Sequence, residues 1–240
     1  MPDNDRALGV RLAVAAVLVF ALLVPFALLA VWVAGDFAPL HTLDADVTDA
    51  LHDYAVAHPA WVRFMAVWSW VFDPNVWRLA VLAVAIWLYR RGVRRLVWWM
   101  VATMALGGTL AAVLKLLVGR NRPDLLNPVA RAAGYSFPSG HALNAALAAG
   151  VLVLVLLPFT RGRRGARVAL WTAALVLPAV TGLSRVALGV HWTSDVVGGW
   201  LLGVAVVAAT AAVYDRWPWG PGRRRREPVT TAGVAPEVDG

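Results

Sequence analysis

The chain carries apolar stretches too long and too poor in charge to fold as the half-exposed helices or strands of a soluble domain. Residues 12–35 contain no charged side chain. At about 1.5 Å per residue a helix of that length crosses a bilayer core of ~30 Å. The same reading applies to 96–115, 142–160, 168–184 and 196–214, and to the shorter 74–89, which contains Arg78. These six stretches predict an all-α fold, an integral membrane bundle of six transmembrane helices over residues 1–214. The first run exceeds the 7–15 apolar residues of a signal-peptide core and is expected to be retained as a span.

Composition agrees. Hydrophobic residues make up 60% of the chain, charged residues only 15%, and the mean hydropathy is +0.66. Soluble domains carry about 25% charged residues. The net charge of +8 would point to nucleic acid in a soluble protein. Here the arginines stand at the ends of apolar runs, so membrane lipids are the expected partner and nucleic acid is not. Cysteine is absent, which excludes disulfides and thiolate metal sites.

Arginine placement sets the expected orientation. Arg6 and Arg11, then 90–95, then 161–167, then Arg216 with 223–226 all fall on one side of a six-span arrangement. The positive-inside rule makes that side cytoplasmic, with both termini there, in a multi-pass protein of the plasma or inner membrane. Residues 215–240 read as a basic, disordered cytoplasmic tail. Between the first two spans, 36–60 is acidic and polar, with Leu43, Val47, Leu51 and Ala55 recurring every four residues. That spacing predicts an amphipathic helix on the outer membrane surface. Trp61, Trp68 and Trp70 place 61–72 at the interface. Asp73-Pro74 reads as an N-cap followed by proline at the first helical position.

The remaining polar clusters fall on the outer ends of spans three to six. In 115–123, Lys115 and Arg122 are seven apart, two helical turns, so both can face one site. Lys115 is the sole lysine among 22 basic residues. Taken alone it reads as a cation snorkelling to the interface. Pro123 is expected to turn the chain at Arg122. In 135–141, Ser139 is expected to cap the fourth span, with the N–H groups of Gly140 and His141 free for an anion. In 184–195, His191 and Asp195 are four apart, so on a helix they share a face and can hydrogen-bond. A carboxylate on one imidazole nitrogen leaves the other as a nucleophile. Arg185 offers a planar fork of donors for phosphate. A polar turn with an incidental ion pair explains that last stretch alone equally well. Together the clusters bring three cations, a helix N-terminus and two histidines to one membrane face. That is the neutralisation a phosphate dianion needs.

Lys115 through Arg122-Pro123, then Pro138-Ser139-Gly140-His141, then Ser184-Arg185 through His191 to Asp195 resemble the tripartite signature of the type-2 phosphatidic acid phosphatase family, in order and in spacing. The resemblance covers about a third of the chain. It implies His191 as the nucleophile forming a phosphohistidine, Asp195 as its orienting carboxylate and His141 as the acid that protonates the leaving oxygen. Lys115, Arg122, Ser139, Gly140 and Arg185 would bind the phosphoryl oxygens. No cofactor is implied. No metal-ligand cluster is visible either: His41, His52 and His58 lie in the outer segment without ligand spacing and read as solvated interfacial residues. The expected activity is hydrolysis of a lipid phosphate at the outer face, on undecaprenyl diphosphate, phosphatidylglycerophosphate or phosphatidic acid. Two alternatives use the same residues: a lipid phosphotransferase, and a non-catalytic lipid-phosphate binder or transporter.

Overall fold

The computed structural model describes residues 2–126 and 128–216. The basic tail expected over 215–240 therefore lies, beyond Arg216, outside the described residues. Eight α-helices follow in order: α1 (Pro2–Ala34), α2 (Ala38–Ala57), α3 (Pro59–Val71), α4 (Pro74–Arg90), α5 (Arg94–Val118), α6 (Gly140–Leu156, continued by a 3₁₀ turn Leu157–Thr160), α7 (Arg164–Ala187) and α8 (Thr193–Arg216). Among the described residues, six helical runs are long and apolar enough to cross a membrane: Ala13–Ala34, Pro59–Arg90, Arg94–Val118, Gly140–Thr160, Arg164–Ala187 and Thr193–Tyr214. The protein is a multi-pass membrane bundle.

Helix α6 is the axis of that bundle. It packs against α4, α5, α7 and α8, while α1 lies along α8. Leu143, Leu147 and Val151 on α6 are wholly buried. Small residues let α8 come close. A Cβ on Gly199 would stand 2.7 Å from the Ser139 carbonyl oxygen, and one on Gly203 would stand 2.9 Å from Ala146 Cβ. Four residues apart on α8, these glycines form the kind of seam through which membrane helices make close backbone contact. The outer helices present their apolar faces away from the protein: Val17, Phe20 and Val31 of α1 are exposed, as lipid-facing side chains must be.

The structure differs from the sequence reading in several places. The second span does not stand alone: α3 runs into α4 through one break at Phe72-Asp73, giving the continuous run Pro59–Arg90. Span five starts earlier, at Arg164, and Arg185 lies within its last turn. In α2 the buried face is turned from the expected one. Asp44, Thr48 and Ala55 are buried and Val47 and Leu51 pack beside them, while Leu43 is exposed. A period-four pattern fixes a stripe only to within a residue, and here polar contacts decide which edge turns inward. Helix α2 lies across the ends of α7 and α8 that carry the motif residues. As expected, Asp73 caps α4: its Oδ1 accepts from the Asn75 N–H at 2.8 Å, with Pro74 following.

Candidate active site

The first motif straddles the end of α5. Gly119, at φ 64°, closes that helix in the left-handed region open to a residue without Cβ, and its N–H donates to the Lys115 carbonyl at 3.0 Å. Arg122 is therefore on a loop, and the two-turn spacing from Lys115 does not place both on one helical face. The loop folds back instead. Lys115 Nζ donates to the Tyr135 carbonyl at 2.6 Å. Arg122 donates to the carbonyls of Ala133, Gly134 and Val190 at 3.0, 2.8 and 2.7 Å, and its Nη1 lies 3.0 Å from His191 Nε2. Burial pushes the Arg122 guanidinium down from its ordinary value, and the Asp195 charge opposes that. The chain turns at Gly119, ahead of the turn expected at Pro123.

The second motif begins α6. Ser139 stands at the N-cap position, but its side chain makes no capping bond, contrary to expectation. Its Oγ is buried without a partner. The Ser139 N–H is used, donating to the Asp195 carbonyl at 2.9 Å. His141, in the first turn, is half-buried, with Nε2 3.6 Å from Asp73 Oδ2. Asp73 thus does more than cap α4: one oxygen holds the helix start and the other faces His141.

The third motif joins α7 to α8. Arg185 Nη1 donates to Ser69 of α3, while its Nε is buried and unpartnered. His191 precedes α8, so it does not share a helical face with Asp195. The pair forms because Asp195, in the first turn, reaches back: Oδ2 takes the Trp192 N–H at 2.9 Å and stands 3.2 Å from His191 Nδ1. Arg122 can only donate, so His191 Nε2 must accept and the ring proton sits on Nδ1, donated to Asp195. Burial pushes the His191 pKa down to about 4; the hydrogen bond to Asp195 opposes this, and Arg122 and Arg185 add to it. His191 is accordingly neutral near pH 7, with its Nε2 lone pair facing the cations.

Sequence reasoning missed a second tier. Arg120 bridges Asp195 Oδ1 at 2.8 Å and Asp44 Oδ2 at 2.7 Å, both partners being buried. Asp44 Oδ1 also accepts the Ser194 N–H at 2.9 Å, and its Oδ2 accepts from the Ser194 hydroxyl. Helix α2 therefore supplies an N-cap to α8 from 150 residues away. The only sequence signal was Arg120 itself, a cation inside the first motif for which the resemblance gave no role. The other histidines, two on α2 and one just after it, are also engaged: His41 packs on the Trp192 ring, His52 Nε2 is 2.8 Å from the Leu126 carbonyl oxygen, and His58 Nδ1 is 2.8 Å from that of Tyr54. Among the described residues, no three of His, Cys, Asp and Glu group as a metal site would require.

Lys115 and Arg122 thus share a loop carbonyl, Tyr135, beside His191, and Arg185 is close enough to depress the same imidazole. Two buried hydrogen-bonding groups, Ser139 Oγ and Arg185 Nε, await a partner.

Phosphatidylglycerophosphatase B of Bacillus subtilis (strain 168) is 40% identical over 98 residues, 40% of this chain and 46% of that protein. Decaprenylphosphoryl-5-phosphoribose phosphatase of Mycobacterium tuberculosis (strain ATCC 25618 / H37Rv) is 33% identical over 155 residues, 62% of this chain and 76% of that protein. The chain spans about half the length of the first curated relatives it matches. In fold it is similar to the crystal structure of a transmembrane PAP2 type phosphatidylglycerolphosphate phosphatase from Bacillus subtilis, at TM-score 0.73 and 23% identity, over 87% of this chain and 98% of that one. The family model described as the PAP2 superfamily matches residues 96–219, just over half of the chain and all three motifs, and the protein belongs to that superfamily.

Proposed function

We propose that the protein is a membrane lipid-phosphate phosphatase working through a phosphohistidine on His191. The observation that carries this reading is the neutral His191 Nε2, held by Asp195 through Nδ1 and facing Arg122, with Arg185 near enough to act on the same ring and its Nε unpartnered. An incoming phosphoryl group takes the Arg122 N–H away from Nε2, freeing the lone pair. Nε2 then attacks phosphorus. The bond to the leaving oxygen breaks, its electron pair goes to that oxygen, and His141 supplies the proton. Asp195 stabilises the imidazolium character on the ring. Lys115, Arg122 and Arg185, with Ser139 and the Gly140 N–H, hold the equatorial oxygens, where charge stabilisation supplies most of the catalysis. In the second half, water attacks phosphorus and gives its proton to His141. The P–N bond breaks and returns its pair to Nε2.

Relatives named for phosphatidylglycerophosphate, undecaprenyl diphosphate and decaprenylphosphoryl-5-phosphoribose support a lipid phosphate as the substrate class. The arginine-rich connections at 90–95 and 161–167 support an active site facing away from the cytoplasm, with both termini inside. The catalytic domain proposed is 1–214. Rapid quench of the purified protein with a ³²P-labelled lipid phosphate tests the activity: an acid-labile phosphoryl-enzyme, absent in His191→Ala, is expected. Turnover without it would sink the covalent route. For orientation, Leu126→Cys in this cysteine-free chain should react with a membrane-impermeant thiol reagent on intact cells and Gly165→Cys should not. The reverse pattern would place the site inside.

A further inference from the structure

Arg78 is an anomaly that the mechanism above does not use. It is the charged residue inside the short apolar run that became α4. A charged side chain placed in a membrane span is costly and marks a functional site by default. Its position is defined: Nε donates to Asn144 Oδ1 at 3.1 Å and Nη1 to Asn75 Oδ1 at 3.3 Å. Both acceptors are neutral amides. The ion pairs among the described residues join Arg120 to Asp44 and Asp195, His141 to Asp73 and His191 to Asp195, and none involves Arg78. The guanidinium is therefore oriented but not neutralised, and its side chain is exposed.

Its place relative to the reacting atoms follows from the helices. Asp73 and His141 face each other at the starts of α4 and α6. Arg78 and Asn144 meet on the same two helices, four residues past Pro74 and three past His141. At about 1.5 Å per residue, that is roughly one turn deeper into the bundle, toward the membrane interior. In-line displacement puts the leaving oxygen opposite His191 and next to its proton donor. The leaving group must then continue from His141 toward the bilayer that holds its tail, which takes it past Arg78.

Resting on the phosphatase reading, we infer that Arg78, oriented by Asn75 and Asn144, is a second anion subsite that selects lipids whose leaving group itself carries phosphate. A lipid diphosphate leaves as a lipid monophosphate, and phosphatidylglycerophosphate leaves as a phosphodiester. Phosphatidic acid and polyprenyl monophosphates leave as neutral alcohols and present nothing to Arg78. Asp73 stands nearby with the opposite sign but is directed at His141, and no ion pair among the described residues neutralises Arg78.

The test is kcat/KM of the full-length protein in detergent micelles on two matched pairs. One pair is a polyprenyl diphosphate and the monophosphate of the same chain; the other is phosphatidylglycerophosphate and phosphatidic acid of the same acyl composition. Wild type should favour the two-phosphate member of at least one pair. Arg78→Gln should shrink that preference about tenfold, the size expected for loss of one charge-assisted contact, with Arg78→Lys intermediate. The pair that responds identifies whether the second phosphate is a diphosphate or a diester. Equal losses on both members, or an unchanged ratio, would overturn the subsite. Thermal unfolding checks the fold, and Arg78→Met, which suits a lipid-facing helix, replaces a Gln variant that does not fold. Absence of any wild-type turnover would count against the phosphatase reading itself, a failure distinct from an unchanged ratio.

Discussion

The two histidines of the site are held in opposite ways. His191 is buried, at 3% exposure, and its carboxylate partner Asp195 is four residues away on the same chain segment. His141 is more open, and its partner Asp73 is 68 residues away on another helix, half-exposed and 3.6 Å distant. Burial and two flanking cations keep His191 neutral, as a nucleophile requires. His141 sits at a helix start beside a carboxylate that solvent reaches, so the two rings differ in how closely their partner is held. A nucleophile gains from a fixed, desolvated frame. A general acid–base group must exchange protons, so it is served by a looser partner.

The sharpest way to break this comparison is to remove each ring. His191→Ala should abolish turnover, a loss of at least about 10⁴-fold, since in the proposed mechanism His191 carries the phosphoryl group. His141→Ala should cost about 10²–10³-fold on a lipid monophosphate and much less on an activated aryl phosphate, because acid help matters least for a weakly basic leaving oxygen. Equal slowing of good and poor leaving groups would contradict the assignment of His141 as the acid.

The next effect concerns the tier behind His191. Arg120→Gln or Asp44→Asn opens a buried ion pair, at a stability cost of about 3–5 kcal/mol; Arg120→Gln takes the cation from Asp195 Oδ1 directly, and Asp44→Asn releases the far side of the arginine that holds it. Activity should fall about a hundredfold in kcat with little change in KM, measured at a temperature where the variant is still folded. A fall confined to KM would remove Asp195 orientation as the cause. Asp73→Asn should be milder, roughly tenfold, and should flatten the dependence of rate on leaving-group basicity. If Asp73→Asn proved as damaging as Asp44→Asn, the contrast between a fixed and a loose partner would fail.

The smallest effect is on stability against pH. The His191 pKa falls from 6.5 unfolded to about 4 folded, so the unfolded chain binds the proton first. The folded state therefore loses stability as pH drops from about 6.5 toward 4, by up to roughly 3 kcal/mol, and the dependence levels off below that. Thermal unfolding in detergent should show this acid sensitivity in wild type and less of it in His191→Gln. An unchanged slope would mean that His191 is not held neutral.

The limits of sequence reading follow the same division between near and distant partners. The membrane runs were legible because a charge-free helix has no soluble alternative. The Asp73-Pro74 cap was legible because a cap and its helix are adjacent in the chain. The His191–Asp195 pair was foreseen for a reason that did not hold: the two meet across the start of α8, through a carboxylate reaching back, and not along one helical face. Likewise Lys115 and Arg122 converge because a loop folds back over Gly119, not by helical spacing.

What the sequence determined by itself is the set of segments that must cross a membrane and the polar residues placed at their ends, since these depend on composition and short-range periodicity. The tertiary structure decided which edge of α2 turns inward, that Ser139 leaves its hydroxyl free, that Asp44 and Arg120 clamp Asp195, and that Asp73 faces His141. Each of those joins groups that are far apart in the chain or that could have bonded locally and did not. Helical period and local propensity carry no information about such choices. Only the packing of α2 on α7 and α8, and of α4 on α6, brings the partners within hydrogen-bonding distance.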